Sequence, residues 1–170
     1  MSTDETYYTT IDSPLGELLL AGADDGLSRL HMQAAGRTRI DAGWIRDEAP
    51  FEDAIEQLEE YFAGERREFE LDLAMHGDAF ERRVWTALRG IPYGETVSYG
   101  EIARDLGHPD AARAVGRANA RNPVAVIVPC HRVIGADGSL TGYAGGLDNK
   151  RLLLELEAKH SPAAAERLFA

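Results

Sequence analysis

The sequence has 170 residues, 44% of them hydrophobic, so it can bury one good core or two small ones, and disorder of the whole chain is not expected. No apolar run approaches the roughly 20 residues that cross a membrane, and the start, MSTDETYYTT, lacks the basic and apolar regions of a signal peptide. A single cysteine excludes an internal disulfide and a multi-cysteine zinc site, and it predicts a reducing cytoplasmic setting.

The net charge of −11 is distributed unevenly along the chain. Residues 1–79 hold 19 Asp and Glu against 6 Arg and Lys, a net of −13, whereas residues 80–170 hold 10 against 12, a net of +2. Four arginines and no acid lie between Ala111 and Gly135. A local basic face can bind phosphates on an acidic protein, although ordinary surface charge explains the pattern equally well.

The first half of the sequence predicts a small sheet and a helix. Residues 7–32 have the pattern of three short strands, separated by turn signals at Ser13-Pro14 and Asp25-Gly26. Apolar residues at helical spacing predict an amphipathic helix over 51–63, and REFELDL, residues 67–73, predicts a further strand. We find no residues typical of a reactive site in this half.

The sequence divides near residue 76, and the second half predicts mostly helices. One apolar helical face precedes Gly90; its members are Phe80, Val84, Trp85 and Leu88. Ser98-Tyr99-Gly100-Glu101 fits the capping box that begins a helix, and Asp110 is the predicted N-cap of the helix after that.

The last two of these helices form a helix-turn-helix pattern. Arg113, Arg117 and Arg121 follow i, i+4, i+8 spacing and share one face of the second helix. The small residues of that helix would let it approach DNA closely while the arginines meet phosphates or bases. A structural helical hairpin with a solvated arginine stripe fits the same spacing equally well.

The cysteine is preceded by the apolar run Val124–Val128, which predicts a buried extended segment. A lone cysteine in an apolar stretch is most often a packing residue. Pro129, His131 and Arg132 around Cys130 favour a reactive thiol instead, because the thiolate is the nucleophile and needs a nearby base. Adjacency in sequence does not establish that the imidazole faces the sulfur.

NPVAVIVPCHRVI resembles the active-site signature of the O6-alkylguanine-DNA alkyltransferases, or methylated-DNA–protein-cysteine methyltransferases. FERRVWTALRGIPYGETVSYGEIA, AARAVGRANARNP and GYAGGLDNKRLLLELE resemble the same family in matching order, so the resemblance covers about residues 78–157. It implies an α/β (α+β) fold in two domains. Residues 1–76 form a small antiparallel sheet plus helix of the ribonuclease H-like type, and residues 77–170 form a mostly helical, winged helix-turn-helix-like DNA-binding and active-site domain.

The resemblance implies DNA repair by direct reversal of damage. A guanine alkylated on O6 is flipped out of double-stranded DNA, and its methyl or larger alkyl group moves irreversibly to Cys130. One monomer repairs one base in the cytoplasm, without cofactor or membrane. Some members of the family bind zinc through cysteines of the N-terminal domain, and no metal is expected here because that half of the sequence has no cysteine. Alkylated thymine at O4 is a second substrate that the resemblance leaves open.

Matched positions imply the role of each residue. Cys130 accepts the alkyl group, His131 takes the thiol proton through a water, and Glu157 holds the histidine tautomer. Asn122 is the hinge before the active-site segment, and Tyr99 crowds the target phosphate and offers its phenol to the guanine. The residues implied to contact DNA or line the guanine pocket are Arg113, which fills the space of the flipped base, and Ala112, Gly116, Arg117, Val133, Tyr143 and Ala144.

Two points stay open at this stage. Ala144 stands where some members of the family have serine, which leaves the preference between methyl and larger alkyl groups undecided. A non-catalytic binder of alkylated DNA and a helix-turn-helix regulator with an incidental thiol are alternative functions. Cys130 disfavours the first, and the set of Cys130, His131 and Glu157 disfavours the second.

Overall fold

The computed structural model describes residues 5–33 and 39–161. The chain forms two compact units, Met1–His76 and Gly77–Ala170. Within the described ranges, no helix is both long enough and apolar enough to cross a membrane.

The first unit contains a four-stranded sheet in the order β3-β2-β1-β4. Its strands are β1 (Tyr7–Ile11), β2 (Leu18–Ala23), β3 (Gly26–Met32) and β4 (Ile45–Arg46). The three predicted strands are confirmed and pair antiparallel in sequence order. The two-residue β4 pairs parallel to β1, so the sheet is mixed rather than purely antiparallel. A strand that short shows no alternation that sequence reasoning could detect.

The predicted helix of the first unit is confirmed. A 3-10 turn over Ala49–Phe51 leads into α1, Glu52–Phe62. The helix buries Ala54, Leu58 and Tyr61, which fall on one face at helical spacing.

The strand predicted over 67–73 is wrong. Only Leu73 forms a bridge, parallel to Leu27 of β3. Earlier in the segment, the side-chain amide of Gln57 bonds both backbone groups of Glu70, with its Oε1 2.9 Å from the amide nitrogen and its Nε2 3.1 Å from the carbonyl oxygen. A side chain of α1 therefore replaces a neighbouring strand as partner, and the residue pattern of the segment does not show this.

The second unit is mostly helical, as predicted. Its helices are α2 (Ala79–Arg89), α3 (Tyr99–Asp105), α4 (Ala112–Ala120) and α5 (Leu147–His160), and its two short strands, β5 (Val97–Ser98) and β6 (Val133–Ile134), pair in parallel. Helix α2 packs against α4, and the indole of Trp85 donates a hydrogen bond of 2.8 Å to the carbonyl oxygen of Ala118.

The capping box predicted for α3 forms only in part. Ser98 Oγ accepts from the backbone N–H of Glu101 at 3.1 Å, but Glu101 Oε1 lies 3.3 Å from the same hydroxyl and does not reach the backbone. Ser98 is also the last residue of β5, so its backbone belongs to the sheet. A complete capping box, which the sequence analysis missed, begins α2 with Asp78 and Glu81.

Asp110 is not the N-cap of α4, contrary to the prediction. The N-cap is Ala111, which has no side-chain acceptor. A backbone hydrogen bond of 2.9 Å from Ala111 N–H to the carbonyl oxygen of His108 closes the turn instead.

Candidate active site

Cys130 opens a 3-10 turn, Cys130–Arg132, and is only 5% exposed. The extended segment predicted for the apolar run before it is wrong, because the run folds into turns. Backbone hydrogen bonds join Val128 N–H to Val124 O at 3.0 Å and Cys130 N–H to Val128 O at 2.8 Å, and Val126 has a φ of 71°. A β-branched residue in the left-handed region is strained by about 1–3 kcal/mol, so the surrounding core must hold this turn in place.

Asn122 clamps the two ends of that turn. Its Oδ1 accepts from the N–H of Val124 at 3.0 Å, and its Nδ2 donates to the carbonyl oxygen of Val128 at 2.8 Å. The side chain also interacts with the thiol of Cys130. Asn122 therefore connects the turn before the cysteine to the thiol itself.

The resting nucleophile is a neutral thiol. Burial raises the pKa of Cys130 to about 11, although Asn122, the charge of Lys150 and the phenol of Tyr143 each oppose the rise. Burial also raises the pKa of Tyr143 well above its usual value, so the phenol stays protonated beside the sulfur. At neutral pH the thiol must lose its proton to a base before or during attack.

His131 is the residue that the sequence predicts as that base. It is fully buried, and its Nε2 lies 2.7 Å from Glu157 Oε2. Because a carboxylate can only accept, the Nε2 of a neutral imidazole carries the proton and Nδ1 holds the lone pair. Nδ1 is buried and has no hydrogen-bond partner among the described residues. Burial lowers the pKa of His131, although Glu157 opposes this effect. The lowered pKa keeps the ring neutral.

Arg132 is buried, whereas the other three arginines between Ala111 and Gly135 are exposed. Its Nε and Nη2 lie 2.8 and 2.9 Å from the two oxygens of Glu157, and its Nη1 donates to the carbonyl oxygen of Ile91 at 2.7 Å. Burial alone would raise the pKa of Glu157, but His131 and Arg132 outweigh it and hold the pKa far below the usual range. The carboxylate stays ionised. Arg132 holds its two oxygens in place, and one of them, Oε2, accepts the hydrogen bond from His131.

Lys150 is a further buried charge that the sequence analysis missed. Its ammonium donates to the carbonyl oxygens of Val133 and Thr141. Burial lowers its pKa, and the nearby Cys130 opposes this effect. In the sequence Lys150 resembles any charged residue near the start of a helix, and only its exclusion from solvent marks it.

Helix α4 presents the predicted arginine face. Arg113 and Arg117 are exposed, and Arg121, at the C-terminal end, is exposed with a loose ion pair of 3.4 Å to Glu81. The opposite face buries Val115, Ala118 and Asn119.

The remaining predicted residues differ in their exposure and in their contacts. The ring of Tyr99 lies against Gly116 of α4, where an added Cβ would be 3.8 Å away, and its hydroxyl donates to Thr141 O at 3.2 Å. Val133 is fully buried and Ala112 half-buried, whereas Ala144 is exposed. Among the residues whose structure is described, no group of three or more His, Cys, Asp or Glu side chains could hold a metal ion.

The fold and the site together define a two-unit protein in which a buried cysteine, a buried histidine–glutamate pair and an arginine-bearing helix belong to the same unit. Its sequence matches the 6-O-methylguanine DNA methyltransferase ribonuclease-like domain over residues 6–75 and the DNA binding domain of the same family over residues 79–159. The methylated-DNA–protein-cysteine methyltransferase of Mycolicibacterium paratuberculosis is 57% identical, with 92% of this chain and 95% of the relative covered. That of Methanosarcina acetivorans is 53% identical, with 89% and 97% covered.

Solved structures that resemble this chain belong to the same family. The Mycobacterium tuberculosis O6-methylguanine methyltransferase matches with a TM-score of 0.85 at 52% identity, covering 97% of this chain and 99% of that chain. The Mycobacterium tuberculosis OGT in complex with DNA matches with a TM-score of 0.86 at 54% identity, covering 93% and 96%. The chain belongs to the 6-O-methylguanine DNA methyltransferase family, which confirms the resemblance and the two-part α/β fold.

Proposed function

We propose that this chain repairs DNA by moving the alkyl group from O6 of an alkylated guanine in double-stranded DNA to Cys130. The observation that carries the proposal is the buried contact of 2.7 Å between Nε2 of His131, the residue directly after the cysteine, and Oε2 of Glu157 on α5. This contact sets the tautomer of the histidine. The relatives named for this activity and the DNA complex of a relative support the same reaction.

In the proposed reaction, a bond forms between Cys130 Sγ and the alkyl carbon while the bond from that carbon to O6 breaks. The thiol proton passes to His131 Nδ1, through a water as the family resemblance implies. The electron pair of the broken bond remains on the guanine, where the phenol of Tyr99 can offer a hydrogen bond. The product is a thioether, and no later step of the proposed reaction breaks its unactivated C–S bond to regenerate the thiol, so each protein molecule reacts once.

The exposed face of α4 would bind the duplex. In this proposal Arg113 fills the space left by the flipped base, Arg117 contacts phosphate, and the small side chains of Ala112 and Gly116 permit close approach. The pocket for the flipped base is lined by Val133, Tyr143 and Ala144, on the side where Tyr143 interacts with the thiol of Cys130.

The wider setting of the protein follows the same family. We propose that residues 77–170 form the domain that binds DNA and reacts, that residues 1–76 form a separate domain, and that the protein acts as a monomer in the cytoplasm. O4-alkylthymine is a second substrate to be tried with the same assay.

The test is to incubate the protein with a duplex holding one O6-methylguanine and to weigh the intact protein and its peptides. We expect one added methyl group per molecule, on the peptide that contains Cys130, and none from the unmodified duplex. Cys130→Ser should bind the duplex and gain no methyl group. Sustained turnover or a methyl group elsewhere would refute the proposal, and tight binding without transfer would indicate a damage-binding protein.

A further inference from the structure

The segment Thr141–Gly146 borders the nucleophile. Tyr143, near its middle, interacts with the thiol of Cys130, and Ala144 follows it on the exposed side. The segment contains three glycines, and Gly142 and Gly146 have φ values of 56° and 95°. Glycine in the left-handed region leaves the backbone free to move unless other contacts hold it.

Two neighbouring side chains of α5 hold this segment at its two ends. Lys150 donates to the carbonyl oxygen of Thr141 at 2.7 Å, which also accepts from the hydroxyl of Tyr99. Asn149 reaches back from the first turn of the helix, and its Nδ2 donates to the carbonyl oxygen of Gly145 at 2.9 Å.

The two contacts differ in what else they touch. The ammonium of Lys150 is fully buried and acts electrostatically on Cys130, so its removal would disturb the chemistry itself. Asn149 is only half-buried, and its hydrogen bond joins the backbone of Gly145. This hydrogen bond lies beside Ala144, at the exposed edge of the segment.

A larger alkyl group on the flipped base needs more room beside Tyr143 and Ala144 than a methyl group does. An outward movement of the segment would supply that room, and the hydrogen bond from Asn149 to Gly145 opposes such a movement. We propose that Asn149 is a specificity-determining residue, which limits the size of the alkyl group that Cys130 accepts. The inference rests on the proposed function, since it concerns the substrate of the same site.

The experiment compares two duplexes that differ only in carrying O6-methylguanine or O6-benzylguanine at one position. Single-turnover rates of transfer to Cys130 are measured for the wild type, Asn149→Leu and Asn149→Asp, which both remove the donor. We expect the benzyl-to-methyl rate ratio to rise about threefold to tenfold in both variants, the range expected for the loss of one hydrogen bond. The methyl rate should stay within about twofold of the wild type, because a methyl group needs no displacement of the segment.

Two controls make the result specific. Asn149→Gln keeps an amide donor and should return the ratio toward the wild-type value. Asp148→Ala changes the adjacent residue of the same turn, whose side chain is fully exposed and pairs with Arg151, and it should leave the ratio unchanged. Thermal unfolding of each variant shows that the fold is retained, and Asn149→Asp is expected to fold well, since an acid near a helix N-terminus is favourable.

The outcomes separate the two proposals. An unchanged ratio in both donor-free variants, or an equal fall of both rates, would overturn the role of Asn149 while leaving alkyl transfer intact. A wild-type protein that transfers neither group would overturn the proposed function and this inference with it.

Discussion

The buried centre and the exposed face of α4 use arginine in opposite ways. Arg132 is 6% exposed and bonds both oxygens of Glu157, whereas Arg113 and Arg117, fewer than 20 residues away in the sequence, project into solvent. Breaking a buried ion pair typically destabilises a protein by about 3–5 kcal/mol, while an exposed charge contributes about 1 kcal/mol or less. In the function proposed above, the difference separates two tasks within one unit: Arg132 holds the carboxylate of Glu157 beside His131, and the exposed α4 arginines would contact DNA.

The largest effect should come from Arg132→Met. It leaves the Glu157 carboxylate buried without its bidentate partner, so we expect a loss of about 3–5 kcal/mol in the free energy of unfolding and much slower alkyl transfer. Urea unfolding and a single-turnover assay measure the two effects. The matched control is Arg117→Met, which should change the stability by about 1 kcal/mol or less. Equal effects of the two substitutions would show that the buried pair is not special.

Acid should weaken the centre through Glu157. The pKa of this carboxyl is held far below its unfolded value of 4.5, so its stabilising contribution is complete above that pH and is lost as the pH falls toward the folded value. The gap in unfolding free energy between the wild type and Glu157→Gln should therefore narrow from pH 5 to about pH 3. Glu155→Gln, an exposed position on the same helix, is the control and should show a small gap throughout. A Glu157 gap that stays constant over this range would contradict the depressed pKa.

Arg113→Ala tests the exposed face by comparing two substrates. If Arg113 fills the space of the flipped base, its loss should slow repair in duplex DNA by about tenfold or more, since flipping is worth a few kcal/mol, and should hardly affect the reaction with free O6-benzylguanine. Arg117→Ala provides the comparison on the same face. Equal losses on both substrates would make Arg113 merely structural.

The smallest effect concerns salt. With Arg132 buried, three α4 arginines remain for phosphates, and a slope near −0.9 per neutralised phosphate predicts a log–log salt dependence of roughly −2 to −4. Arg117→Glu should weaken binding to all duplexes alike. Arg121→Glu should weaken it less, because Arg121 already lies 3.4 Å from Glu81. Fluorescence anisotropy against salt concentration checks both, and a slope steeper than about −6 would require a larger basic surface.

The parts of the structure that could be predicted are those placed by a buried apolar face, and the parts that could not are those held by side-chain hydrogen bonds to the backbone. Helices such as α1 and α2 follow from apolar residues at helical spacing, because one buried face suffices to place them. The strand expected over 67–73 failed because its partner is the side chain of Gln57, and the extended run before Cys130 failed because Asn122 closes it into turns. Both errors come from side chains that take over backbone hydrogen bonds, which no periodicity reveals.

The sequence by itself determined the two-part architecture, the arginine face of α4 and, through its motifs, the family and the nucleophile Cys130. Tertiary structure alone decided which charges are buried. Arg132 and Lys150 look like surface residues in the sequence, yet one orients Glu157 and the other holds the carbonyl oxygens of Val133 and Thr141. Burial depends on what packs against a side chain from distant parts of the chain, and that information appears only when α5, the turn at Cys130 and the segment after β6 come together.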